Sequence, residues 1–168
     1  MKAEQKTLIL VRHAKSSWRD TTLNDIQRPL NKRGNRDAPK MGEHMVKRNI
    51  LPEVIFSSPG LRALTTARLI SVKIGIAPSE IIVEDDLYTF NSEDLITFIK
   101  SISDNYNKVM IVGHNPAITD LTNYFSGSKI NNVPTCGVAV LKFSIDSWKK
   151  VSKKKAVLKS FDYPKKLW

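Results

Sequence analysis

Short apolar runs alternate along this chain with longer stretches in which apolar residues recur at helical spacing, and this alternation constrains the fold most. Strands are predicted at residues 7–11, 54–56, 81–83 and 108–112. Helices are predicted at residues 32–48 and 92–103 and after Pro59 and Pro116. Strands that are joined through helices lie parallel as a rule. The pattern therefore predicts the α/β class: a three-layer αβα sandwich with a largely parallel central sheet, covered on both faces.

Capping residues indicate where these helices begin. Asn31 is predicted to cap the helix over residues 32–48, in whose first turn Gly34 is a weak point. Two further helices are predicted to begin at a cap residue that is followed by proline at the first helical position: Ser58-Pro59 and Asn115-Pro116.

The rest of the chain predicts one compact unit. Residues 137–145 and 156–161 are predicted to pair as antiparallel strands, and residues 162–168 to be irregular. A length of 168 residues favours a single domain over residues 1–168, without a sizeable cap domain. Cys136 is the one cysteine, so no disulfide can form within the chain. No apolar run approaches the roughly 18 residues of a membrane span, and residues 1–6 are polar, so we expect a cytoplasmic protein without a membrane partner.

The charge distribution leaves the partner open. The net charge is +11, and residues 149–168, with eight lysines and one aspartate, contribute +7 of it. This basic strand or tail could dock nucleic acid or an acidic protein. Nucleic acid is the less favoured partner, although three aromatic residues accompany the lysines: Phe161, Tyr163 and Trp168.

Arginine and histidine follow the predicted strands where those strands end. Arg12 and His13 come directly after the strand at residues 7–11, and His114 follows the strand at residues 108–112. Arg62 lies just inside the helix that follows residues 57–59. In an open α/β sheet, ligands bind outside the carboxyl ends of the strands. We therefore expect these four side chains to converge on one edge of the sheet, near two helix N-termini that favour an anion.

Such a set of side chains is suited to phosphoryl chemistry. Arginine matches phosphate oxygens with a rigid fork of donors, and neutral imidazole is a competent nucleophile. A second histidine can donate to an oxygen on which charge develops. The sequence shows no Gly-rich phosphate loop, no cysteine-based loop and no run of metal-binding carboxylates. These features predict covalent catalysis through phosphohistidine, with no metal or other cofactor.

Three ordered motifs resemble those of the histidine phosphatase (phosphoglycerate mutase-like) superfamily. Residues 10–14 resemble its RHG motif, residues 57–67 its second motif and residues 112–116 its third. Residues 25–30 and the small size resemble the SixA-like phosphohistidine phosphatase branch. The resemblance covers residues 7 to about 121 and depends on three motifs in order, which makes it specific.

The resemblance implies a role for each matching position. His13 would be the nucleophile, and Arg12, Arg62 and His114 would complete the phosphate pocket. Ala14 stands where the wider superfamily has glycine, which would restrict the approach of the backbone to the phosphate.

Two regions of the sequence offer candidates for the general acid. The SixA-like pattern favours Asp25, which could equally be a surface aspartate that pairs with Arg28. In larger relatives a carboxylate beyond the second motif protonates the leaving group, and here that region holds Glu93 and Asp94, which could simply cap a helix. A phosphoramidate leaving group needs less acid assistance than an alkoxide, so a weak acid would fit a phosphohistidine substrate.

Other candidates each have a functional and a structural interpretation. Arg28 could add a cation to the phosphate site or form a structural ion pair. Lys15 and Ser16 could contact phosphate or belong to a solvated loop, and Trp18 could line the mouth of the pocket or pack the loop. His44 is predicted to be solvated.

Together, these features predict an enzyme that hydrolyses phosphoric monoesters or phosphoramidates through a phosphohistidine intermediate on His13. An open pocket favours phosphohistidine of a partner protein as the substrate. Small phosphate esters such as sugar or nucleotide phosphates are the alternative substrates. A phosphate- or polyanion-binding module with a vestigial pocket is the alternative from a different class.

Overall fold

The computed structural model describes residues 4–168 and contains one six-stranded sheet. Residues 1–3 lie outside the described residues. They belong to the segment of residues 1–6 that is polar in the sequence. The strands are β1 (Lys6–Arg12), β2 (Val54–Ser57), β3 (Ile82–Val83), β4 (Lys108–Gly113), β5 (Val138–Phe143) and β6 (Ala156–Asp162). The helices are α1 (Lys32–Lys47), α2 (Leu61–Ile74), α3 (Ser92–Lys100), α4 (Ala117–Ser126) and α5 (Pro164–Leu167).

The order of the strands places the predicted site residues at one edge of the sheet. The order is β3-β2-β4-β1-β5-β6, and the first four strands in this order run parallel. β5 and β6 are antiparallel neighbours, as predicted. Arg12 lies opposite Gly113, and Ser57 lies opposite Val112. The segments that follow β1, β2 and β4 therefore leave the sheet side by side.

Alternating side chains of the strands build a core on each face of the sheet. Leu8 and Leu10 of β1 pack in the cluster that includes α3 and α4, whereas Ile9 and Val11 pack in the cluster that includes α1 and α2. This confirms the predicted three-layer arrangement. The longest connection within residues 4–168 is the loop of residues 13–31 between β1 and α1, and no inserted domain caps the sheet edge in that range. No helix in the same range is long and apolar enough to cross a membrane.

Two predicted helix starts are too early, by two residues for α2 and by one residue for α4. α2 begins at Leu61, and the hydroxyl of Ser58 accepts from the backbone N–H of Gly60 and bonds His114 instead of capping a helix that starts at Pro59. α4 begins at Ala117, after Pro116, although the side chain of Asn115 does accept from a backbone N–H of its first turn.

Other boundaries differ at the chain end and in α3. α3 ends at Lys100, not at residue 103, and the segment predicted to be irregular after residue 161 completes β6 and forms the short helix α5. Asn31 caps α1 as predicted, since its side chain accepts from the backbone of Gly34. Gly34 is a position of close packing, not a weak point: a Cβ there would lie 2.2 Å from the carbonyl oxygen of Lys15.

Candidate active site

The four predicted pocket residues meet at a cavity of about 240 Å³ outside the carboxyl ends of β1, β2 and β4. Backbone hydrogen bonds beyond the strand ends hold their segments together. The N–H of His13 donates to Gly113, and the N–H of Ser58 donates to Val112. The cavity is lined by Arg12, His13, Arg62 and His114. Four further predicted residues also line it: Lys15, Ser16, Asp25 and Arg28.

His13 is buried and held in one tautomer. Its Nδ1 lies 2.7 Å from the carbonyl oxygen of Ala14, and because a carbonyl only accepts, Nδ1 must carry the proton. The lone pair is therefore on Nε2, to which the Nε–H of Arg62 donates at 3.4 Å. Burial, together with the nearby arginine charges, lowers the pKa of His13 to about 4. The imidazole is thus neutral at neutral pH, which is the nucleophilic form.

Ala14, in place of the motif glycine, is accommodated without difficulty. Its methyl group is fully buried in the core that includes α1 and α2, and its backbone N–H donates to the hydroxyl of Thr66 at 2.9 Å. The alanine therefore helps to hold the carbonyl group that orients His13.

His114 lies next to His13 and is also buried. The two ring centroids are 5.3 Å apart, and Nε2 of His114 is 2.7 Å from the hydroxyl of Ser58. Burial, together with the charges of His13 and Arg62, lowers the pKa of His114 to about 3. His114 is therefore a neutral hydrogen-bonding group in this site.

Two buried side-chain nitrogens in the part of the chain that the structure describes have no hydrogen-bond partner: Arg12 Nε and His114 Nδ1. Both belong to residues that line the cavity. Arg12 is anchored by Nη1, which donates to the carbonyl of Val133 at 2.9 Å. Buried polar groups are nearly always paired, so these two nitrogens, on residues that line the cavity, are candidate donors to a bound anion.

Asp25 pairs with Arg28, as one of the two predictions had it, and also with Arg62. Its carboxylate accepts from Arg28 at 3.2 Å, from Arg62 at 2.9 Å and from the hydroxyl of Tyr88. Partial burial alone would raise the pKa of Asp25, but the hydrogen bonds from Tyr88 and Arg62 outweigh it and hold the pKa at about 2. An ionised carboxylate has no proton to give. This arrangement fits the positioning of Arg62 better than the role of general acid.

The loop after β1 is ordered around Arg28. The guanidinium of Arg28 donates to the hydroxyl of Ser16 at 2.6 Å and to the carbonyl of Ser17 at 3.2 Å. The ring of Trp18 stacks on it, with 3.2 Å between Arg28 Cζ and the ring centroid. Both interpretations of Trp18 hold, because it packs the loop and also lines the cavity. Lys15 lines the cavity from an exposed position.

Three further residues belong to the site although the sequence predicted no role for them in the pocket: Ser58, Tyr88 and Phe90. Tyr88 and Phe90 pack edge-on against the ring of His114, at centroid distances of 5.3 Å and 5.7 Å. Tyr88 and Phe90 lie in the segment just before α3, for which the sequence offered only candidates for the general acid. Neither Glu93 nor Asp94 lines the cavity, and the carboxylate of Asp94 accepts from the hydroxyl of Thr89.

Two residues singled out in the sequence, His44 and Cys136, do not line the pocket. The prediction that His44 is solvated is wrong, because its Nε2 lies 3.0 Å from the carboxylate of Asp162. Cys136 is buried, which raises its thiol pKa, and its backbone N–H donates to the carbonyls of Arg12 and His13. Among residues 4–168, no group of three or more His, Cys, Asp or Glu side chains is placed to hold a metal ion.

Comparisons with known proteins identify the family of this chain. The family model of the histidine phosphatase superfamily (branch 1) matches residues 8–95. An uncharacterised chloroplastic protein of Arabidopsis thaliana is 30% identical over 151 residues, which cover 85% of this chain and 69% of that protein. A structure from Agrobacterium tumefaciens, assigned as the phosphohistidine phosphatase SixA, superposes with a TM-score of 0.78 and 26% identity, covering 95% of this chain and 98% of that one.

A second structure assigned as SixA, from Nakamurella, supports the fold. It superposes with a TM-score of 0.80 at 20% identity and covers 98% of this chain and 99% of that chain. The family match extends over more than half of the chain and includes the first two motifs. The chain therefore belongs to the histidine phosphatase superfamily (branch 1), and within it to the SixA-like branch.

Proposed function

We propose that this protein hydrolyses phosphohistidine of a partner protein through a phosphohistidine intermediate on His13. The observation that carries the proposal is the state of His13: a neutral ring whose Nδ1 proton is held by the Ala14 carbonyl and whose Nε2 lone pair lies beside Arg62. A lone pair at this position, next to fixed cationic donors, is what nucleophilic attack on a phosphoryl group requires.

In the first step, the Nε2 lone pair of His13 bonds to phosphorus while the bond from phosphorus to the substrate nitrogen breaks. The departing nitrogen keeps the electron pair, and an imidazole that is protonated on its other nitrogen leaves as a neutral molecule. Arg12, Arg62 and His114 line the cavity and would bind the phosphoryl oxygens, on which charge is spread. The phosphorylated ring of His13 is cationic, so its hydrogen bond from Nδ1 to Ala14 becomes stronger.

In the second step, water attacks phosphorus, the bond from phosphorus to Nε2 breaks and its electron pair returns to the ring of His13. The proton that the water loses passes to the released phosphate or to solvent. His13 is then neutral again, in the same tautomer, because the Ala14 carbonyl still accepts from Nδ1.

Two observations support a protein phosphohistidine over a small ester. The site has no sizeable cap within the described residues, so a side chain on a partner surface can reach it. Asp25 is ionised at neutral pH, and an alkoxide leaving group would need a proton that this carboxylate does not hold. An imidazole leaving group needs less help. The SixA names of the structural neighbours point to the same substrate class.

Trapping the phosphoenzyme tests the proposal. Wild type, His13→Ala and His44→Ala would be mixed with phosphoramidate in excess chelator and quenched in alkali after milliseconds. We expect a label that is stable in alkali and labile in acid on wild type and on His44→Ala, and none on His13→Ala. His44 is the matched control because it lies outside the cavity. A folded His13→Ala protein that still labels or turns over would refute the mechanism.

The substrate class is tested separately by steady-state kinetics. We expect kcat/KM for a phosphohistidine peptide to exceed that for hexose and nucleotide phosphates by at least about tenfold. The opposite order, with the label on His13 intact, would favour the small-ester alternative. No label and no turnover with any donor would favour the binding module.

A further inference from the structure

Two exposed aromatic side chains stand at the mouth of the cavity. Trp18 is 72% exposed and Phe90 is 47% exposed, and both line the cavity that contains His13 and Arg62. They come from different loops, one between β1 and α1 and the other just before α3. Large apolar side chains exposed beside a binding pocket are a common sign of a recognition surface.

The position of Trp18 is determined by a buried cation. Its ring lies on the guanidinium of Arg28, which is itself held by Ser16, Ser17 and Asp25. One face of the indole is therefore covered by the Arg28 guanidinium. The large exposed fraction of Trp18 shows that the rest of the ring surface is accessible. Trp18 is thus a fixed apolar surface on the Arg28 side of the cavity.

Phe90 approaches the cavity from the side of His114. Its ring packs edge-on against Tyr88 and His114, with centroid distances of 5.8 Å and 5.7 Å. These contacts determine the orientation of the ring and leave about half of it exposed. The phosphate-binding donors at the base of the cavity therefore have an aromatic ring on each of two flanking loops.

We propose that Trp18 and Phe90 form a binding site for the leaving group and select substrates whose phosphoryl group is attached to a planar ring, such as the imidazole of phosphohistidine. This inference rests on the proposed function. With phosphorus bound at His13, the leaving group must point away from Nε2 and toward the mouth. A planar ring can stack on aromatic faces there, whereas an ammonia leaving group has no surface with which to do so.

The test compares two donors that differ in the ring. The leaving group of N-phosphoimidazole is a planar imidazole ring. The leaving group of phosphoramidate is ammonia, which has no ring. We expect the Trp18→Ala/Phe90→Ala double variant to lower the ratio of kcat/KM for phosphoimidazole over phosphoramidate by about tenfold, from a few-fold for each ring. Trp168→Ala, which removes an exposed aromatic residue outside the cavity, should keep the wild-type ratio.

Shape is separated from volume by a second pair of variants. Phe90→Tyr keeps a planar ring and should keep most of the preference, whereas Phe90→Leu keeps apolar volume without a ring and should lose it. An unchanged ratio in the double variant, with both donors slowed equally, would overturn the inference while the phosphoenzyme on His13 upholds the proposed function. Failure of wild type to label with either donor would refute the proposed function itself, and the inference with it.

Discussion

At the scale of single residues, the reactivity of His13 comes from its neighbours. A free histidine has a pKa of about 6.5 and exchanges its proton between both ring nitrogens. Here burial lowers the pKa to about 4, and the Ala14 carbonyl holds the one remaining proton on Nδ1. The result is a nucleophile that is ready at neutral pH without a base to deprotonate it.

We predict that the hydroxyl of Ser58, which is not among the predicted pocket residues, positions the ring of His114. Ser58→Ala removes the partner of His114 Nε2 and leaves a buried nitrogen unsatisfied, at a cost of about 1–3 kcal/mol. We expect the rate of phosphoenzyme formation to fall about tenfold or more in rapid-quench experiments, with the fold intact by circular dichroism.

Ser57→Ala is the matched control for this change. Its buried hydroxyl donates to the carbonyl of Ser58 and not to His114. A comparable loss of rate in both variants would show that the strand end in general matters, and that the bond between Ser58 and His114 has no special role.

At the scale of elements, the first turn of α1 supports the loop that carries the nucleophile. The N–H of Asn31 donates to the carbonyl of Lys15 at 3.0 Å, and Gly34 lies so close that a Cβ would be 2.2 Å from the same oxygen. The helix therefore contacts backbone just two residues after His13. Only glycine allows this approach, because any side chain would move the loop or the helix.

Gly34→Ala should therefore damage both the stability and the site. Overpacking of this kind costs about 1–3 kcal/mol, and the displaced loop should also reduce the turnover of the folded protein. Gly42→Ala is the control, since its Cβ would meet the Lys73 side chain at 2.8 Å, between α1 and α2 and away from the loop. We expect thermal unfolding to show a loss of stability in both variants and turnover to fall chiefly in Gly34→Ala. Equal turnover in the two would contradict the proposed support.

At the scale of the whole molecule, the basic carboxyl-terminal segment is part of the fold. Residues 156–162 form β6, which pairs with β5, and α5 follows. The last residues pack back on α1, where Asp162 contacts His44 and the ring of Trp168 lies near Lys40. A segment so integrated into the sheet is not a free tail, so its lysines are displayed from a rigid surface.

The buried histidines link the stability of the whole molecule to pH. The pKa values of His13 and His114 are about 4 and about 3 in the folded state, below the ordinary 6.5. The unfolded chain therefore binds more protons as pH falls below 6.5, and stability is lost as the pH falls toward these folded values. The slope reaches at most about 1.4 kcal/mol per pH unit for each histidine.

Denaturant unfolding at about pH 7 and about pH 5 measures this loss, and His13→Asn and His114→Asn should each reduce it. NMR titration of the two rings gives an independent readout in the wild type. Protonation of either ring near pH 6.5 in the folded protein would contradict the prediction.

Local sequence patterns are enough to predict the class of fold and four residues that line the pocket: Arg12, His13, Arg62 and His114. Apolar periodicity reports which side of each element is buried, and this information is local. The ends of parallel strands meet at one edge, so the sequence alone predicts that Arg12, His13 and His114 lie close together. Helix starts were less predictable, because the side chain of Ser58 turned out to bond to His114 instead of a helix.

The chemical state of the site depends on contacts that form when the chain folds. The Nδ1 proton of His13, the ionisation of Asp25 and the aromatic mouth depend on which groups lie nearby in space. Asp25 meets Arg62 and Tyr88, which are 37 and 63 positions away along the chain. Hydrogen bonding and desolvation act through space, over a few ångströms, and sequence distance carries no record of them.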